Sequence, residues 1–108
     1  MIVAVIRDLI LFSRIEAASR RAGGTATRVD APSSVPAGAG LVLVDWSDRE
    51  PDWTRALRTL SRSGATVVLF GPHTDLEAHA AARAAGLGAM IARSKLLADL
   101  PSLVEPFT

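Results

Sequence analysis

Short apolar runs recur along the chain and alternate with stretches of helical spacing. Residues 2–6 (IVAVI), 41–45 (LVLVD) and 66–70 (TVVLF) have the continuous apolar character of strands that are buried on both faces of a parallel sheet. Residues 88–92 (GAMIA) predict a last strand, and residues 25–30 (TATRVD) alternate as an edge strand does. The pattern therefore predicts five strands.

The first two helices are bounded by residues that favour helix ends. Asp8 can cap a helix that runs to about residue 22, and Gly23 ends it. Pro51 suits the first turn of a second helix, which Gly64 ends. Residues 31–40 (APSSVPAGAG) lie between the second and third strands, and their prolines, glycines and serines predict a loop.

An alanine-rich helix is predicted over residues 75–85, with Thr74 or Asp75 as its N-cap. Ser94 is the expected cap of a final helix, which Pro101 divides or restarts. Strands that alternate with helices indicate a parallel sheet with helices on both faces. The chain of 108 residues suits one domain, residues 1–108.

Composition excludes several classes of function. The net charge of +1 gives no strong attraction to nucleic acid or to a lipid surface, so neither is an expected partner. The chain has no cysteine, which excludes disulfides, thiol catalysis and thiolate metal sites and fits a reducing compartment. Arg7 and Asp8 interrupt the apolar N-terminus, which argues against a signal peptide. We therefore expect a soluble cytoplasmic protein.

Two acids follow predicted strands, Asp8 after the first and Asp45 at the end of the third. In a flavodoxin-like sheet of order 2-1-3-4-5, the strand order reverses between strands 1 and 3, and ligands bind beyond the strand ends there. Asp8 and Asp45 are then expected to face each other. Mg²⁺ prefers such carboxylate oxygens. The alternative is that Asp8 is only a helix cap and that Asp45 only stabilises the turn after its strand.

Four segments resemble the receiver domain of bacterial response regulators, the signalling proteins of two-component systems. They are IVAVIRDLILFSRI, LVLVDWS, VVLFGPHTD and AAGLGAMIARS. The resemblance rests on pattern and spacing and covers almost the whole chain. It implies a flavodoxin-like, three-layer α/β/α fold with a five-stranded parallel sheet of order 2-1-3-4-5. The second helix of that fold is expected to be shortened or lost within residues 31–40.

The resemblance also assigns roles to single residues. Asp45 matches the phosphoacceptor and Asp8 matches one of two metal-binding acids, whereas Arg7 replaces the other acid. Phe70 stands at the switch threonine or serine, and Arg93 at the lysine that contacts the phosphoryl group. Since Phe70 has no hydroxyl and Arg7 brings a fixed positive charge to the metal position, the site resembles that of a degenerate receiver, or pseudo-receiver.

Three functions remain open. The expected one is a phosphorylation-independent interaction or regulatory module in signal transduction, without catalysis or a cofactor, in which Arg7, Asp8 and Asp45 form a self-satisfied charge cluster. The first alternative is a genuine phospho-receiver that binds Mg²⁺ through Asp8 and Asp45 and accepts a phosphoryl group on Asp45. The second is a small-ligand or anion binder at the strand ends that uses Arg7 and Arg93.

The expected partner is another protein, and the flat, alanine-rich helix makes a homodimer through residues 75–105 plausible. Trp46 is expected near the pocket and partly exposed, and Trp53 under its own helix.

His73 and His79 lack a third ligand at metal-binding spacing. No G-x-S-x-G, G-x-G-x-x-G or Walker motif occurs, which disfavours a serine hydrolase or a nucleotide binder.

Overall fold

Five parallel strands and four helices form the fold in the computed structural model, which describes residues 1–108. The strands are β1 (Ile2–Val5), β2 (Ala26–Val29), β3 (Leu41–Asp45), β4 (Thr66–Gly71) and β5 (Ile91–Ala92). The helices are α1 (Leu9–Arg21), α2 (Trp53–Arg62), α3 (Leu76–Ala85) and α4 (Arg93–Val104). The sheet order is β2-β1-β3-β4-β5 with every pair parallel, which confirms the flavodoxin-like fold.

The two faces of the sheet carry separate apolar cores. On one face, α1 and α4 pack against alternate strand residues, including Ile2, Leu43 and Phe70. On the other face, α2 and α3 pack against the intervening residues, including Val3 and Val44. Because β1 and β3 are central, both of their faces are buried, as the continuous apolar runs predict.

The segment between β2 and β3 contains no α-helix. Its only regular structure is one 3-10 turn, Pro32–Ser34, so the expected loss of the second helix is confirmed. Pro32 is buried at this turn, and Gly38 has a positive φ of 87°. The prolines and glycines of this segment disfavour a regular helix, so the chain passes from β2 to β3 mainly as a loop.

Three details near the C-terminus differ from the sequence predictions. The strand predicted over residues 88–92 is only Ile91–Ala92, because Gly86 and Gly88 adopt positive φ values of 70° and 94°. The final helix begins at Arg93, so Ser94 lies inside its first turn and is not the cap. Pro101 neither divides nor restarts α4.

Buried residues on both sides of Pro101 explain why α4 continues through it. Leu96, Leu100 and Val104 all pack into the core, so tertiary contacts hold the helix on both sides of the proline. Pro101 itself is exposed and removes one backbone donor, the N–H that would reach the carbonyl of Leu97.

No helix of the chain is both long enough and apolar enough to cross a membrane.

Candidate functional site

Asp45 is a buried carboxylate at the carboxyl end of the central strand β3. Its residue is 3% exposed. Oδ1 accepts hydrogen bonds from the backbone N–H of Ser47 at 3.2 Å and from the Ser47 hydroxyl at 2.8 Å. Oδ2 accepts from Nη2 of Arg93 at 3.2 Å. Both carboxylate oxygens are therefore engaged within the chain, as a buried charge requires.

Arg93 joins the two acids that sequence analysis singled out. Its Nη1 lies 3.6 Å from Oδ2 of Asp8, while its Nη2 binds Asp45. The other oxygen of Asp8, Oδ1, accepts from the N–H groups of Ile10 and Leu11 at 3.0 and 3.1 Å and so caps α1. Asp8 is thus both a helix cap and a member of the charged cluster. The planar guanidinium can bridge two carboxylates because its donors point in fixed, divergent directions.

The expected cluster of Arg7, Asp8 and Asp45 is wrong in one member. Arg7 turns outward and pairs with Glu50 at 3.2 Å, with both side chains about half exposed. Arg7 follows an apolar run of buried residues and lies where the chain leaves the sheet, so its long side chain reaches solvent. The cation that pairs with both Asp8 and Asp45 is Arg93, which enters from the first position of α4.

The sequence contains a weak signal for this pairing. Arg93 directly follows β5, and the carboxyl ends of parallel strands meet at one edge of the sheet. β5 pairs only with β4, however, so reaching β3 depends on the length of the arginine side chain. Sequence analysis favoured Arg7 because the resemblance puts it at the position of the second metal-binding acid, although adjacent residues such as Arg7 and Asp8 commonly point in different directions.

Asp48 is a further acid of this site, which the sequence analysis missed. It lies in a 3-10 turn, Trp46–Asp48, that continues directly from β3. Burial raises its pKa, and the charge of Asp45 raises it further, whereas Arg7 and Arg93 act in the opposite direction. The short turn after Asp45 thus places a second carboxylate close enough to interact electrostatically with the first.

Phe70 and Trp46 are large buried side chains close to Asp45 in the fold. Phe70 belongs to the core on one face of the sheet and Trp46 to the core on the other face. Phe70 is the register partner of Asp45 and is fully buried, so a ring stands where the resemblance implies a hydroxyl. Trp46 is 1% exposed, which makes the expectation of partial exposure wrong. Its Nε1 donates to the carbonyl of Ala78 at 3.0 Å and joins the turn after β3 to α3.

The remaining candidate ligands lie apart. Nε2 of His79 lies 2.9 Å from the carbonyl oxygen of His73, a local contact at the start of α3. No group of three or more histidine, aspartate or glutamate side chains is arranged to hold a metal ion. The atoms of Asp8 and Asp45 that could face a cation are the two Oδ2 atoms, and both face Arg93.

Comparison with protein-family models, with curated proteins and with solved structures finds no significant match to this chain.

Proposed function

We propose that the chain is a receiver-like interaction module that works without phosphoryl transfer, as a pseudo-receiver. The observation that supports this function best is the state of Asp45. The carboxylate is buried, and both of its oxygens accept hydrogen bonds from Ser47 and Arg93. An oxygen that attacks a phosphoryl group must approach it in line. Each oxygen of Asp45 already accepts a hydrogen bond, and the guanidinium of Arg93 would have to move aside from Oδ2.

Charge supports the same proposal. Phosphoryl transfer to a carboxylate needs a cation that offsets the charge of the incoming group, a role that Mg²⁺ commonly fills. Arg93 already pairs with both acids and is covalently part of the chain. Mg²⁺ would have to displace the guanidinium from both carboxylates before it could bind between them, which makes metal binding unfavourable.

The same edge of the sheet carries exposed apolar side chains that suit a protein partner. Leu9 and Ile10, on the first turn of α1, are 63% and 78% exposed, and Leu76, on the first turn of α3, is 78% exposed. Leu9 and Ile10 are adjacent in the chain, and neighbouring exposed apolar side chains are a feature of protein interaction surfaces. We place the module in the cytoplasm of a bacterium. A homodimer through residues 75–105 belongs to the same proposal.

A titration tests the proposed function at Asp45 itself. Backbone amide resonances of Ser47 and Ile10 are followed by NMR during addition of Mg²⁺, first alone and then with beryllofluoride, which mimics a phosphoryl group on a carboxylate. We expect no site-specific shift, because Arg93 keeps both acids paired. A saturable shift at Ser47 that Asp45→Asn abolishes would contradict the proposal and favour a genuine phospho-receiver.

A further inference from the structure

A shallow groove runs between α1 and α4, on the sheet face away from Trp46. It consists of two adjoining depressions with volumes of about 420 and 380 Å³, which share Ala18, Arg21 and Pro101. Ala17, Leu97 and Leu100 complete its apolar floor. From Ser13 to Ala22 the groove follows α1 for about 13 Å, since a helix rises about 1.5 Å per residue. It is therefore long enough for a segment of chain.

Two arginines line this groove, and neither has a partner. Arg14 and Arg21 are exposed and form no salt bridge, whereas Arg20, which does not line the groove, pairs with Glu16 at 3.5 Å. Arg14 and Arg21 are seven positions apart, which is two helical turns or about 10.5 Å along α1. The one acid of the groove, Glu105, lines the same depression as Arg21 but forms no salt bridge with it. The groove thus presents two arginines without salt bridges beside an apolar floor, and only the end at Arg14 has no acid in its lining.

Pro101 adds an unusual feature to the opposite wall. Because proline has no N–H, the carbonyl oxygen of Leu97 lacks the donor that it would have in an uninterrupted helix. Leu97 and Pro101 both line the groove.

We propose that the groove between α1 and α4 binds an amphipathic helix of a partner protein, with carboxylates two turns apart beside its apolar stripe. Those carboxylates pair with Arg14 and Arg21, and the stripe covers the alanines of the floor. A helix fits better than an extended peptide because it satisfies its own backbone hydrogen bonds, and the floor offers few groups that could do so. Small floor residues allow close approach. The inference rests on the proposed interaction function and names its surface.

A selection from a displayed library of short amphipathic helical peptides tests this proposal on the intact chain. We expect the selected peptides to carry Asp or Glu two turns apart. By fluorescence anisotropy, Arg14→Glu and Arg21→Glu should each weaken the binding of a synthetic selected peptide roughly fivefold, in line with partly exposed charge pairs. Ala17→Gln should weaken it by obstructing the floor. Arg62→Glu, an unpaired exposed arginine on α2, is the matched control and should change nothing.

Several outcomes would overturn the proposal. They are selection of no peptide, selected peptides without the paired acids, and binding that the three groove variants leave unchanged. A short DNA duplex that binds more tightly than the peptides and depends on the same arginines would also overturn it. Peptides that bind elsewhere on the surface would contradict the groove proposal and leave the proposed interaction function standing. Failure of the proposed function is distinguished from this result, because it appears as beryllofluoride binding at Asp45. Circular dichroism checks that each variant folds.

Discussion

Replacing Arg93 by methionine removes the only cation that binds Asp45 and keeps most of the apolar length of the side chain. We expect this change to destabilise the protein at neutral pH, because it leaves a carboxylate whose side chain is 5% exposed without its counter-charge. Asp8 loses an ion pair as well, but it is more exposed and keeps its two backbone donors.

The magnitude follows from the burial of the two partners. Removing one member of a buried ion pair commonly costs about 3–5 kcal/mol. The side chain of Arg93 is 39% exposed, so solvent already screens part of the attraction. Ser47 continues to donate two hydrogen bonds to Asp45 in the variant. We therefore expect a loss of about 2–3 kcal/mol in the free energy of unfolding.

Urea unfolding at pH 7, followed by circular dichroism, measures this loss. Arg7→Met is the matched control, since it removes an arginine from a half-exposed pair and should cost less than about 1 kcal/mol. In the double variant Arg93→Met, Asp45→Asn, the buried charge is absent and the two losses should be less than additive. Equal losses for Arg93→Met and Arg7→Met would refute the assignment of Arg93 as the counter-charge of Asp45.

Three further predictions concern other positions. Asp48→Asn should stabilise the protein at pH 7, because the raised pKa of Asp48 means that its charged form is disfavoured in the native state. In unfolding experiments below the ordinary pKa of 3.8, where Asp48 is protonated in both states, this gain in stability should vanish. Trp46→Phe should cost about 1–2 kcal/mol more in urea unfolding than Trp53→Phe, since Nε1 of Trp46 donates to Ala78 whereas Nε1 of Trp53 is buried without a partner; equal costs would contradict this. Pro101→Ala should raise the thermal midpoint by restoring a helical hydrogen bond in α4, worth about 1 kcal/mol or more, and a lowered midpoint would show that the proline suits its site.

The sheet order 2-1-3-4-5 was expected from the resemblance to receiver domains, whereas the apolar patterns of the strands indicate only which of them are central and which lie at an edge. The runs IVAVI and LVLVD are apolar throughout and form the central strands β1 and β3, whereas TATRVD alternates and forms the edge strand β2. Two helix caps were predictable from the local sequence, since Asp8 and Asp75 both accept first-turn N–H groups, whereas Ser94 is not the cap that was predicted. The prediction failed where tertiary packing overrides local preference, as in α4, which continues through Pro101.

The charged cluster was predictable only in part. Both acids follow from strand ends and the switch point of the sheet, so Asp8 and Asp45 could be paired from topology alone. Which arginine pairs with them depends on the direction that each long side chain takes in the folded protein. Arg7 points to Glu50 and Arg93 points to the two acids, and no local sequence pattern distinguishes these cases. The burial of Trp46 depends likewise on α3 packing over the turn after β3, which no local pattern indicates.

Intact-mass spectrometry after incubation with a small phosphoryl donor and Mg²⁺ tests the role of Asp45 most directly, with Asp45→Asn treated in parallel. If Arg93 holds Asp45 in a satisfied ion pair, the wild type and Asp45→Asn should both keep their unmodified masses. A phosphoryl adduct on the wild type that is absent from Asp45→Asn would contradict this. Asp45 would then be a working phosphoacceptor from which Arg93 can be displaced.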